Sequence, residues 1–226
     1  ADETTGAYTI TPAELSDGDY SLTVTATDAA GNISAASDAL SMTVDATAPA
    51  QPAITTTTTL TSDATPTIEG TAEAGSTVTL LSSGVAIGTT TANGDGQFSI
   101  TTSTLADSNY VLTVTATDAA GNISDASDSL SITIDATAPG KPSIITTTSL
   151  TNDSTPAIEG VAEAGSTVTL FVDGETTGIT TTADGTTGAY TITPAELSDG
   201  DYSLTVTATD AAGNTSAVSD AVINNN

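Results

Sequence analysis

A period of about 90 residues runs through this sequence and limits the possible folds more than any other feature. The heptapeptide ATDAAGN occurs three times, at Ala26–Asn32, Ala116–Asn122 and Ala208–Asn214. The pentapeptide DATAP occurs at Asp45–Pro49 and returns 90 residues later at Asp135–Pro139. Because separate motifs recur with one spacing, the sequence predicts an array of similar modules rather than one large domain.

Two longer repeats agree with this period. The octapeptide EAGSTVTL is found at Glu73–Leu80 and again at Glu163–Leu170. Residues Gly6–Asn32 are repeated letter for letter at Gly188–Asn214. A recent duplication is the simplest origin of such identity.

The DATAP motif marks the boundary between modules, because its proline cannot continue a central strand. We therefore divide the chain into three repeats. Residues 1–45 form the carboxyl-terminal half of one repeat, residues 46–135 a complete repeat, and residues 136–226 a repeat cut near its last strand. They are called the first, middle and third repeats below.

The middle repeat has the alternation and turn residues of an all-β fold. Thr, Val and Ile are abundant, and aromatic residues make up only 3% of the chain. Leu112, Val114 and Ala116 alternate with threonines, so we expect them to face a core. The turn Asn93–Gly96 separates two strands. The predicted strands are Gln51–Thr56, Thr65–Ala72, Thr77–Leu81, Val85–Thr91, Gln97–Thr102, Tyr110–Thr117 and Leu130–Asp135. Seven antiparallel strands in about 90 residues predict tandem immunoglobulin-like β-sandwiches.

The charge balance excludes several function classes. The chain carries 28 acidic residues against one basic residue, Lys141, so nucleic acid is not an expected partner. Cysteine, histidine and arginine are all missing, which removes Cys nucleophiles, Ser/His catalysis and the usual zinc sites. Carboxylate-pair chemistry stays open, but acids that recur with every module indicate a structural role. We therefore expect no enzyme, and without disulfides we expect stability from another source, with metal as the first candidate.

No apolar run approaches the roughly 20 residues of a membrane span, and the sequence begins without a basic stretch and apolar core. We expect no membrane insertion.

Following the strands through a sandwich places several acidic loops at one pole, beside a linker. The residues expected to meet there are Asp45, Glu73, Asp118 and Asn122 at the first linker, and Asp135, Glu163, Asp210 and Asn214 at the second. These carboxylates repel one another and have no basic residue nearby. Ca2+ takes six to eight oxygen ligands in flexible geometry, so the sequence predicts a calcium site at each linker.

A simpler interpretation exists for acids in turns, because Asp and Asn side chains bond to the local backbone. We favour that interpretation for Asp17, Asp95 and Asp199. The recurrence at both linkers favours calcium for the linker residues.

The motifs ATDAAGN, DATAP and TPTIEGTAEAGSTVTL resemble the bacterial immunoglobulin-like repeats of giant secreted adhesins, including biofilm-associated and RTX-type adhesins. The resemblance implies an extracellular protein at the bacterial cell surface, whose repeats form a monomeric rod that projects distal adhesive domains. The partners of each repeat would be its neighbours in the chain. By position, Asp45 and Asp135 become linker ligands of calcium, and Asp118 and Asp210 become loop ligands.

Two alternatives remain at this stage. The modules could bind a glycan, a mineral or ice, which would require an exposed aromatic cluster or a surface unique to one module. They could also be accessory domains of a secreted enzyme.

Overall fold

The computed structural model describes residue 2, residues 4–147 and residues 150–225. All regular elements in these ranges are β-strands, so the all-β prediction is confirmed. The chain divides into two compact units. One unit comprises Ala1–Thr55, Glu69–Ile100 and Thr113–Asp128, and the other comprises Thr56–Ile68, Thr101–Leu112 and Ser129–Asn226.

The first repeat contains two strands, β1 (Gly18–Leu22) and β2 (Leu40–Val44). They pair antiparallel, with Tyr20 opposite Met42.

The middle repeat contains eight strands in two sheets. They are β3 (Ala53–Ile54), β4 (Leu60–Thr61), β5 (Thr67–Thr71), β6 (Thr77–Ser82), β7 (Val85–Thr91), β8 (Gln97–Thr101), β9 (Ser108–Thr117) and β10 (Leu130–Ile134). One sheet has the order β3-β5-β8 and the other the order β4-β10-β9-β6-β7. Strand β4 pairs with β10 in parallel, and the prediction missed it. This is an immunoglobulin-like sandwich, as predicted.

The third repeat has the same arrangement. Its strands are β11 (Ser143–Ile144), β12 (Ile158–Val161), β13 (Thr167–Val172), β14 (Glu175–Thr182), β15 (Ala189–Ile192), β16 (Asp201–Thr209) and β17 (Val222–Asn225). They form the sheets β11-β12-β15 and β14-β13-β16-β17.

Alternating apolar residues from both sheets form the core of the third repeat. Every second residue of a strand points to the same face, so the pattern Thr-Val-Thr-Leu buries its aliphatic members. The buried cluster contains Ile158, Val168, Leu170, Ala183, Tyr190, Ile192, Leu204 and Val206. In the middle repeat Leu112, Val114 and Ala116 are each 0% exposed, as expected from the sequence. Burying a side chain of valine or leucine size contributes about 1.5–3 kcal/mol.

A tyrosine fixes the turn that leads into the long strand of each repeat. The Tyr110 hydroxyl donates to the Ala106 carbonyl at 3.0 Å, and the Tyr20 hydroxyl donates to the Ser16 carbonyl at 2.8 Å. Such a tyrosine corner is common where a sandwich strand begins. It holds the residue between the two bonded positions, which is Asp107 in the middle repeat.

One sequence adopts two conformations in this chain. Residues 189–192 form β15 in the third repeat, but the identical residues 7–10 of the first repeat form no strand. Likewise β16 extends over Asp201–Thr209, whereas β1 ends at Leu22. The longer strands pair with β12 and β13 of the third repeat, so neighbouring strands decide the conformation.

Candidate functional site at the linkers between repeats

The preceding repeat holds the start of each linker through one aspartate. Asp17 accepts a hydrogen bond from the Ala46 amide at 2.9 Å and another from the Thr47 hydroxyl. The next copy repeats this arrangement. Asp107 accepts from the Ala136 amide at 2.8 Å and from the Thr137 hydroxyl.

The sequence assigned Asp17 to a local turn, and that assignment is wrong. Its partners lie 29 and 30 residues away, in the linker. Asp107 was missed altogether. The available signal was its spacing, because both aspartates precede a corner tyrosine by three residues and stand 90 residues apart.

These contacts lower the pKa of both carboxyl groups below the usual 3.8. For Asp17 the Thr47 hydroxyl has the largest effect, followed by the Ala46 amide. For Asp107 the order is the same, with the Thr137 hydroxyl before the Ala136 amide. Hydrogen bonds to a carboxylate stabilise its charged form. Both groups are therefore ionised at neutral pH, in the form that accepts two bonds.

The following repeat holds each linker through the ATDAAGN loop. Asp118 closes this loop by accepting from the Gly121 amide at 2.7 Å and from the Asn122 amide at 2.9 Å. Its second oxygen accepts from Asn122 Nδ2 at 2.8 Å. Asn122 Nδ2 also donates to the Asp45 carbonyl at 3.1 Å. Asp118 thus positions the amide that binds the linker.

The second linker shows the same contact. Asn214 Nδ2 donates to the Asp135 carbonyl at 2.6 Å and to Asp210 Oδ2 at 2.9 Å. Burial raises the pKa of Asp210, but hydrogen bonds from Asn214 and the loop amides outweigh it and leave the pKa lowered. For Asp118 the Asn122 side chain has the largest effect on a pKa that is also lowered.

A third contact lies just after each linker and differs between copies. Gln51 Nε2 donates to the Ala126 carbonyl at 2.6 Å. Ninety residues later, Lys141 Nζ lies 2.7 Å from Asp220 Oδ1. This ion pair is exposed, with 46% and 96% of the two side chains accessible, so we expect it to contribute little.

We call the two inner contacts of each linker the linker clamp. At the first linker the clamp consists of Asp17 and Asn122, and at the second of Asp107 and Asn214. Pro49 and Pro139 are buried at the ends of the DATAP motifs. Five linker residues are therefore held from both sides by direct hydrogen bonds.

The predicted calcium ligands are only partly brought together. Asp118 and Asn122 meet the backbone of Asp45, and Asp210 and Asn214 meet that of Asp135. The Asp45 side chain instead accepts from the Thr47 amide at 3.1 Å. Glu73 and Glu163 are exposed, and their carbonyls accept from Ser76 and Ser166.

The oxygen-rich donor set has the chemistry that calcium prefers. However, the N–H donors of each asparagine face the oxygens that an ion would need. Within the described ranges, no three acidic side chains lie close enough together to hold a metal ion. As arranged, the linker residues do not fit a calcium cage, and the calcium prediction stays untested.

Comparison with known proteins identifies the family. A model of the bacterial Ig-like domain matches residues 1–46, 50–136 and 143–224. The chain belongs to the bacterial Ig-like domain family. A search of curated protein sequences finds no match. In the part of the chain that the structure describes, no helix is long and apolar enough to span a membrane.

Several solved structures resemble these bacterial Ig-like repeats. The BSP domain of a biofilm-associated protein is 24% identical with a TM-score of 0.33, over 78% of this chain and 29% of that one. A tetra-tandem repeat from the extending region of a large adhesion protein is 27% identical with a TM-score of 0.35, over 92% and 57%. Fibronectin(III)-like modules of Clostridium thermocellum CbhA are 18% identical with a TM-score of 0.48, over 76% and 92%. The chain thus spans less than two thirds of the first two structures.

Proposed function

We propose that these repeats are an extender segment of an extracellular bacterial surface adhesin, which holds distal adhesive domains away from the cell. The observation that carries the proposal is the linker clamp, which occurs with the same residue types at both linkers. A spacer needs each joint to adopt one geometry, and two hydrogen-bonded contacts per linker provide it. The near-identity of the copies supports the same role, because a spacer needs repetition rather than a distinctive surface.

Catalysis forms no part of this proposal. The Ig-like fold family is generally non-enzymatic, and this chain has no His, Cys or Arg. The acids of the linker clamp already accept hydrogen bonds from the linker, which gives them a structural use.

The aromatic residues argue against ligand-binding modules. Phe98 and Tyr190 are each 4% exposed. The Tyr110 and Tyr20 hydroxyls bond to their own corners. In the two complete sandwiches these rings therefore serve the fold instead of forming an exposed cluster for a glycan.

Calcium is the unsettled part of the proposal. The clamp fixes each linker with protein donors, so an ion would add to a joint that is already held. Calcium binding at Asp45, Asp118, Asp135 and Asp210 would also require the two asparagine side chains to turn their oxygens toward the ion. We therefore base the extender function on the clamp.

Small-angle scattering of the full chain tests the extender function. We expect a long, narrow distance distribution in a chelating buffer, and little change when calcium is added. A compact distribution in both buffers would contradict the extender function. An extended distribution in calcium alone would retain that function but assign the joints to the metal.

A further inference from the structure

The first repeat exposes an apolar face that the third repeat covers. Tyr8 and Ile10 are 60% and 63% exposed. Their identical counterparts Tyr190 and Ile192 are 4% and 3% exposed. On the neighbouring strand, Leu40 is also 63% exposed. Exposed apolar surface of this kind commonly marks a binding site.

The third repeat shows what covers these residues. Strand β12 pairs with β15, with Ile158 opposite Ile192 and Gly160 opposite Tyr190. Strand β13 pairs with β16, with Leu170 opposite Val206. The contributed side chains Ile158 and Leu170 are buried in the shared core.

We propose that the first repeat is an acceptor site for a strand-turn-strand segment supplied by another polypeptide, with the sequence pattern of residues 155–173. The incoming segment would add one strand to each sheet, and its backbone would supply the missing ladder hydrogen bonds. Because residues 6–32 and 188–214 are identical, the third repeat also gives the register. Ile158 of the segment lies opposite Ile10, Gly160 opposite Tyr8, and Leu170 opposite Val24.

Gly160 determines the specificity of this site. A Cβ atom on Gly160 would lie 2.3 Å from the Tyr190 hydroxyl oxygen and 2.4 Å from its ring carbon Cζ. The ring therefore lies directly over the glycine. Tyr8 takes the place of Tyr190 in the acceptor, so a segment with a side chain at position 160 cannot seat the ring.

The middle repeat supports this requirement independently. A Cβ atom on Gly70 would lie 2.4 Å from Cζ of Phe98. Both complete sandwiches thus place an aromatic ring over a glycine of the neighbouring strand, which compensates for the missing side chain.

A synthetic peptide of residues 155–173 tests the proposal on the full chain labelled with 15N. We expect saturable one-to-one binding, with slower amide exchange in residues 7–10 and 24–27 and unchanged exchange in the third repeat. A matched Gly160→Val peptide is expected to bind at least about 10-fold more weakly, because overpacking costs roughly 1–3 kcal/mol. Peptide concentrations are kept below self-association, as checked by sedimentation.

A chain carrying Ile10→Asp provides the matched control on the acceptor, and we expect it to lose the peptide. Three results would overturn the proposal. They are absence of binding by the unmodified peptide, equal binding of the Gly160→Val peptide, and retention of the peptide by the Ile10→Asp chain.

Discussion

Single polar side chains fix the linkers of this array. One carboxylate from the preceding repeat accepts from the linker, and one amide from the following repeat donates to it. At the second linker these residues are Asp107 and Asn214. Neither side chain is part of an apolar core, yet each bonds to backbone atoms of the linker. The geometry of the joint therefore depends on residues that a stability analysis of the sandwiches would pass over.

Replacement of Asp107 with alanine tests this dependence. The Ala136 amide loses its acceptor, so we expect its hydrogen exchange to become faster while exchange in the core strand β9 is unchanged. Asp125→Ala is the matched control, because it removes the same charge from an exposed loop residue outside the clamp. Equal exchange of the Ala136 amide in both variants would refute the role of Asp107.

Acid is expected to release the clamp. The pKa of Asp107 is lowered in the folded chain, so the clamp is fully formed above the unfolded value of 3.8 and is lost as pH falls through the lowered pKa. A carboxyl NMR titration measures this value. In a Thr137→Val chain the hydroxyl donor is gone, and the pKa of Asp107 should move back toward 3.8. An unchanged pKa in that variant would contradict the assigned contact.

At the scale of elements, pairing decides which residues become strands. The identical segments at 6–32 and 188–214 have the same intrinsic propensities, but only the third repeat supplies β12 and β13 as partners. The first repeat keeps the β1-β2 pair alone among these ladders. The stability of β-structure in this family is therefore a property of the complete sandwich.

A pair of identical substitutions measures this effect. Ile192→Ala removes a side chain that is 3% exposed, and we expect it to lower the free energy of unfolding of the third repeat by about 2–5 kcal/mol. Ile10→Ala removes the same side chain from the same local sequence, where it is 63% exposed, and should change stability by less than about 0.5 kcal/mol. Denaturant unfolding of both chains gives the comparison. Similar losses would show that the first repeat also buries this position.

The sequence predicted most of this architecture, because period-2 alternation and turn residues are local signals. Strand β7 was predicted with the correct bounds, Val85–Thr91. Strand β4 was missed because two residues carry no pattern, and its parallel pairing with β10 is a long-range feature. Strand β3 is shorter than predicted, since only Ala53 and Ile54 pair with β5.

The site was predictable to a similar degree. The meeting of Asn122 with the Asp45 backbone followed from the direction of the strands. The role of Asp107 did not, because its partners are distant in sequence and an aspartate before a glycine or serine also suits a local turn. Nor could the sequence show that the asparagines present N–H groups to the linker carbonyls.

At the scale of the whole molecule, the central claim is that hydrogen bonds fix the angle between repeats. The chain has 28 acidic residues and one lysine, so electrostatic repulsion favours separation of the repeats but specifies no angle. The clamp supplies the missing direction. Since both linkers use it, an array of many such repeats would repeat one joint.

Spin labels on either side of the second linker test this claim most directly. The chain has no cysteine, so Ser99→Cys and Thr191→Cys give two unique labels on exposed positions of β8 and β15. In a chelating buffer we predict one narrow distance distribution, which broadens when Asp107→Ala and Asn214→Ala are combined. A broad distribution that narrows only when calcium is added, or a narrow distribution in the double variant, would contradict the account.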